Sequence, residues 1–363
     1  MQIIGFSLAL LLAWGNPGYD AENSYYNPHE SVIGTLKQRW RAPLRDIEAS
    51  CSGFSAPLVA GDRVFATDRR GVSAYDATSG DVLWRFDWDP ADDNDTPTMA
   101  VADDLLILVN GDCNSASDPD GRLTALDVAT GDLRWALGQD VPAYSAVVDK
   151  GAVVVSGYSD SDGDGILAYS VTDGHLLWHR TGVVSTEVSA DGVLLTTATD
   201  GYGTPTGSTA AVRITTGRTV WTSRNTWLAQ AASPSSDTFY VSGRVVSAGP
   251  LLAVDARTGK VRWSASSQAS PLIAADGERV YRAEGARVQA LDAHTGRLIW
   301  SHTLAAPSLQ PTVAGGLLYT GSTVLRSATG VAAAPSRPGF VVITSGHLFQ
   351  VNGPNLTAFS RTP

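Results

Sequence analysis

Lysine is nearly absent from this chain of 363 residues, occurring only at Lys37, Lys150 and Lys260. With 36 acidic side chains against 26 basic ones, the formal net charge is -10. A chain of that sign is not drawn electrostatically to nucleic acid or to an anionic bilayer surface, so neither is expected as a partner, while a basic or cationic one stays open. No integral membrane span is expected. The apolar opening MQIIGFSLALLLA (1–13) is too short to cross a bilayer comfortably but has the length of a signal-peptide core. It lacks a basic flank, and no lipobox cysteine follows it; Ala13 before Trp14 makes an acceptable cleavage edge. Residues 1–13 therefore read as a signal-like segment of an exported protein, and 14–363 as one domain. The sequence also lacks a nucleophile elbow, an HExxH pair and a glycine loop that could cradle phosphate.

What the chain does have is a repeat. SAYDATSGDVLW (73–84), TALDVATGDLRW (124–135), LAYSVTDGHLLW (167–178), AAVRITTGRTVW (210–221), LAVDARTGKVRW (252–263) and QALDAHTGRLIW (289–300) align without gaps. Each carries alanine six residues before a glycine and tryptophan four after it. A degenerate copy, VLRSATGVAAA, has Ala334 in place of the tryptophan. One more is divided between the termini, with NLTAFS (355–360) near the end of the chain and Leu36 to Trp40 near its start. The motif glycines Gly80, Gly131, Gly174, Gly217, Gly259, Gly296 and Gly330 stand 51, 43, 43, 42, 37 and 34 residues apart, the length of a four-stranded unit. Short apolar runs cut by Gly-Asp and Thr-Gly turns fit strands of about five residues. The expectation is an all-β, eight-bladed β-propeller of four-stranded antiparallel blades, the last closed by strands from both termini so that no sheet edge is left free.

The Ala, Thr-Gly and Trp pattern resembles the quinoprotein-dehydrogenase-like propellers, whose unit is known as the PQQ-like or tryptophan-docking repeat, and the architecture is similar to that of BamB-like scaffolds. Residues 14–34 resemble the lead-in of that family. The resemblance implies that Trp40, Trp84, Trp135, Trp178, Trp221, Trp263 and Trp300 are structural, each docking between alanine and glycine of a neighbouring repeat. It also implies two classes of function. One is an exported, monomeric binding or scaffold propeller that presents its loops to a protein or small ligand; the other is an enzyme acting in the central channel, of PQQ type or free of cofactor. PQQ chemistry in the family needs a calcium site, basic residues for the quinone carboxylates and often a Cys-Cys pair. This chain has no such pair, and Glu187 is its only evident inner-strand carboxylate. PQQ is therefore not expected, and no catalytic residue is assigned.

With the first strand of each blade innermost, inter-blade connections and the loops between second and third strands emerge on one face. We call it the upper face. Its loops hold Asp87, Asp89, Asp92, Asp93, Asp95, Asp118, Asp120, Asp160, Asp162, Asp164 and Asp200, which read first as turn formers and second as a surface for a cation or basic partner. Asp160, Asp162 and Asp164 alternate as in a calcium loop, but Val171 stands where an EF-hand needs its last glutamate, so only a hairpin calcium site is conceivable. Cys51 and Cys113 fall on this same face in neighbouring blades, where a disulfide is favoured over a metal site or a thiol nucleophile. Trp88 and Trp227 lie outside the docking motif. Together with Phe54, Tyr144, Glu187, Gln230 and Gln310, near the starts of inner strands, they are candidates for lining the mouth of the channel.

Overall fold

In each repeat, runs of three to nine residues rich in Val, Leu, Ile and Ala pair in sequence order, and the turns between them are too short for any crossover. The result, in a computed structural model, is eight sheets in which neighbours in sequence are neighbours in space. The structure describes residues 14–30, 32, 35–47, 51–89, 94–113, 121–139, 145–159, 163–202, 204–243, 249–268, 272–335, 338–344 and 346–361. The signal-like segment 1–13 lies outside them. Blade 1 shows the plan, with antiparallel strands Leu58–Ala60, Arg63–Asp68, Gly71–Asp76 and Val82–Asp87. The inner strands of blades 2 to 8 are Thr98–Ala102, Ser145–Asp149, Val183–Ala190, Leu228–Ala232, Leu272–Ala275, Thr312–Ala314 and Phe340–Thr344. Blade 8 is closed as expected: Leu36–Pro43 pairs antiparallel with Asn355–Arg361.

The tryptophan joints account for the repeat motif atom by atom. Every motif glycine has positive φ, between 63° and 79°, and a methyl group built on it would sit 2.5 to 2.9 Å from a tryptophan ring of the preceding blade. Only glycine allows both the left-handed turn and the close ring. The indole nitrogens of Trp40, Trp84, Trp135, Trp178, Trp221, Trp263 and Trp300 donate to the carbonyls of Ala77, Val128, Val171, Ile214, Ala256, Ala293 and Ser327, at 2.7 to 3.0 Å. Those carbonyls also lie in the turn of the next blade. One part of the expected joint differs: the alanine that faces each tryptophan across the ladder belongs to the same blade, as Ala74 faces Trp84 and Ala290 faces Trp300. A small residue there leaves room for the ring to lean outward to its neighbour.

The joint from blade 7 to blade 8 has neither half of this device. Ala334 replaces the tryptophan, and blade 8 has no turn before its outer strand because that strand comes from the other end of the chain. Apolar packing fills the place: Val32 of the lead-in joins Leu317, Tyr319, Val324, Ile343 and Leu348. The Tyr319 hydroxyl donates to the Val32 carbonyl at 3.2 Å.

Truncation of one joint tests this account. Trp84→Ala is expected to cost about 3 to 5 kcal/mol. Gly131→Ala, which forces a methyl into the ring, should cost about 2 to 3 kcal/mol by strain and overpacking. In the Trp84→Ala background the glycine change should fall to about 1 kcal/mol, because only the left-handed φ remains unfavourable. Urea unfolding of the four proteins measures the cycle, and strict additivity would show that glycine and tryptophan do not act as one joint.

Candidate ligand site in the central channel

An inner strand exposes its unpaired backbone groups to the channel, and a buried polar group without a partner is costly. The lead-in supplies partners around the ring. Trp14 exchanges two backbone hydrogen bonds with Val59 of blade 1, and the Gly15 carbonyl accepts from Val101 of blade 2. Ala21 packs beside Val147 of blade 3. The carbonyls of Ala21, Glu22, Ser24 and Tyr25 then accept from Ser189, Ala232, Ala275 and Val313 of blades 4, 5, 6 and 7. Tyr26–Asn27 adds a short parallel strand to blade 7, and the Asn27 side chain donates to Ile343 of blade 8 at 2.8 Å. The segment thus visits the blades in order, at the ends of inner strands away from the upper face. It forms a floor. Tyr19, Asn23 and Tyr25 take positive φ to make its corners, at 82°, 53° and 51°. Such backbone persists where surrounding contacts over-determine it.

Above this floor lies a cavity of about 430 Å³, within the range of small-molecule sites. Trp14, Pro17 and Tyr25 form its base, and Leu272, Gln310, Phe340 and Val342, all near the starts of inner strands, form its walls. Among the described residues the lining has no charged side chain. Leu309 and Phe340 at its edge are 44% and 50% exposed. Apolar side chains left open beside an apolar cup mark a place for something to bind. Gln310 donates its amide nitrogen to the carbonyls of Ile273 (2.7 Å) and Pro311 (3.2 Å), which fixes the amide's orientation.

Beside the cup, Pro17 also borders a narrow space lined by Asn16, Asp20, Asn23 and Glu187. Asp20 accepts from the Ser24 amide and hydroxyl, at 2.9 and 2.6 Å. Burial and the nearby charge of Glu22 nevertheless push its carboxyl up to about 7. Burial raises Glu22 and Glu187 as well. Glu187 forms no hydrogen bond or ion pair with a described residue, and its charge raises the Tyr25 hydroxyl after burial has done so.

Of the candidates for the channel mouth, Gln310 lines the cup and Glu187 stands next to it. Gln230 lies at the floor, its carbonyl 3.5 Å from the Asn23 amide nitrogen and its own amide donating to Ser242. Trp88 and Trp227 are placed elsewhere. Both are buried in core clusters, edge-on to Phe86 and Trp221 respectively, and Phe54 packs against the same core as Trp88. Tyr144 lies outside the described residues. Sequence reasoning missed Trp14, Pro17, Tyr25, Leu309 and Phe340, although the position of Gln310 just before an inner strand pointed to its neighbours.

On the upper face, Asp87 pairs with Arg45 at 2.5 Å and Arg70 at 3.1 Å, and Asp200 accepts from the amides of Tyr202 and Thr204. Asp164 is buried and accepts from the Thr199 hydroxyl at 2.5 Å. Asp92, Asp93, Asp118, Asp120, Asp160 and Asp162 lie outside the described residues. Among the described residues no three His, Cys, Asp or Glu side chains gather as metal ligands. Cys51 and Cys113 are joined in a disulfide, with Cα atoms 6.5 Å apart, which ties the approach to blade 1 to a loop of blade 2.

The comparisons with known proteins place this architecture. A family profile described as outer membrane protein assembly factor BamB matches residues 34–223, 136–283 and 205–343. The chain belongs to that family of PQQ-like repeat propellers. Among solved structures it is similar to BamB from Moraxella catarrhalis, at 18% identity over 90% of this chain and 100% of the other, with a TM-score of 0.60. It is also similar to the quinohemoprotein alcohol dehydrogenase from Comamonas testosteroni, at 13% identity over 97% of this chain and 81% of that one, with a TM-score of 0.68. A europium-containing methanol dehydrogenase aligns at 11% identity over 97% of this chain and 98% of the other, with a TM-score of 0.65. These likenesses show the fold. No curated protein matches the sequence. Among the described residues no helix is long and apolar enough to cross a membrane.

The relatives raise the question whether the channel suits a quinone cofactor. PQQ carries three carboxylates, which need cationic partners. Among the described residues the cup offers none, and the ionisable groups lining the space beside it are Asp20 and Glu187. The described residues do not fit that cofactor.

Two measurements probe the site's surroundings. A carboxyl raised from 3.8 to about 7 is bound in its protonated form. The stability it lends is full below about pH 4 and is lost as pH rises through 7, by at most about 1.4 kcal/mol per pH unit. Asp20→Asn should therefore flatten the decline of Tm between pH 4 and 7, to which Glu22 and Glu187 contribute in the same sense; an unchanged slope would show that Asp20 is ordinary. Separately, replacing Cys51 and Cys113 with serine should cost about 2 to 4 kcal/mol in urea unfolding. Labelling of both thiols in unreduced native protein would disprove the bridge.

Proposed function

We propose that the protein is an exported binding propeller whose ligand, a small molecule with an apolar body, seats in the channel above the lead-in. The observation that carries this reading is the blind apolar cup, closed below by Trp14, Pro17 and Tyr25 and rimmed by the exposed Leu309 and Phe340. Burying half of such a lining against a ligand is worth about 1 to 2 kcal/mol from the protein side alone, at about 25 cal/mol per Å². The disulfide supports export, because such bridges persist in oxidising compartments. Membership of a BamB-described family supports binding as the role, and the chemistry of the cup speaks against a quinone enzyme.

The neutral, solvatochromic dye Nile red serves as a probe. It should bind with a stoichiometry of one per chain, with blue-shifted emission. Leu309→Asp combined with Phe340→Asp, both at exposed positions, should weaken it at least tenfold without lowering Tm. Equal binding by parent and variant would place the apolar site elsewhere.

A further inference from the structure

Two polar groups that the channel leaves unused are acceptors. Gln310 uses its amide nitrogen on two carbonyls, so it turns its carbonyl oxygen free, as an acceptor. Glu187 is an acceptor too. It lies in the inner strand of blade 4, where the ladder to Val193–Thr199 shifts register between Ser185 and Ser189. That irregularity takes the residue out of regular pairing, and its carboxylate has no hydrogen bond or ion pair to any described residue. Partly removing a carboxylate from water without a partner is unfavourable, and a bound cation would offset that cost.

Among the described residues the neighbours do not supply that cation. Asp20 and Glu22 of the lead-in and Asp149 of blade 3 are acidic, and the carboxylates of Asp20 and Asp149 are already bonded to Ser24, Ser189 and Gly192. Lys150 stays on the rim, 3.0 Å from Asp191. Asn16 and Asn23 are neutral. The channel is thus divided, with an uncharged apolar cup toward blades 6 to 8 and an uncompensated negative charge toward blade 4. Pro17 borders both parts, and Tyr25 of the cup feels the charge of Glu187.

We propose that the ligand is an organic amine, with its apolar body in the cup and its ammonium group held by Glu187. This rests on the cup being the binding site. The same arrangement disfavours carboxylate ligands such as fatty acids, since their head group would meet the Glu187 carboxylate.

Calorimetric titration with octylamine, octanol and octanoate at pH 7.5 separates the two ideas. Octylamine should bind at least tenfold more tightly than octanol, and octanoate should bind least. Glu187→Gln should bring octylamine down to the level of octanol while leaving octanol unchanged, so that the octanol arm also reports that the variant is folded. If octanol binds the parent but octylamine binds no better, or if Glu187→Gln keeps the tenfold preference, the amine inference fails and the cup stands. If none of the three binds, the cup itself is overturned.

Discussion

A tryptophan ring resting on a glycine is the contact on which the molecule depends. A single blade is a four-stranded sheet with apolar residues on both faces, and it cannot bury them alone. The joint orients one sheet against the next: the ring fills the space that a Cβ would take, and the indole N–H fixes the ring to a turn carbonyl of the next blade. Repeated seven times, this sets the ring geometry and leaves one joint to be made in another way.

That exception places the site. Between blades 7 and 8, packing from the lead-in replaces the tryptophan, and the cup takes its walls from these two blades and from blade 6. The ring also leaves the inner strand of every blade with free N–H groups, and the lead-in meets six of these strands through its backbone. A channel with a floor becomes a vessel, and three residues of that floor, Tyr19, Asn23 and Tyr25, hold positive φ angles that surrounding contacts must maintain.

The repeat made the scaffold legible because its residues act locally. Alanine, glycine and tryptophan each have one reason to be where they are, and Ala334 announced the missing joint. Cys51 and Cys113 were readable from the blade order alone. Trp88 and Trp227 were not, since a loop position in sequence says nothing about whether Phe86 or Trp221 will cover the ring. The course of the lead-in was equally hidden: it binds through its own carbonyls, which every sequence possesses, and no side-chain period records it. Of the acidic loops, Asp87, Asp164 and Asp200 are tied to Arg45, Thr199 and turn amides, local partners that the loop sequence alone does not announce.

The circuit of the lead-in has a consequence for biosynthesis. The lead-in leaves the ribosome before the strands it binds, which are completed progressively along the chain, and Leu36–Pro43 waits for a partner, Asn355–Arg361, that is made only after the seven intervening blades. A segment made before the ring is the last that can be placed. Its backbone must stay uncommitted through the synthesis of all the blades, and the channel gains its floor only when the ring is whole.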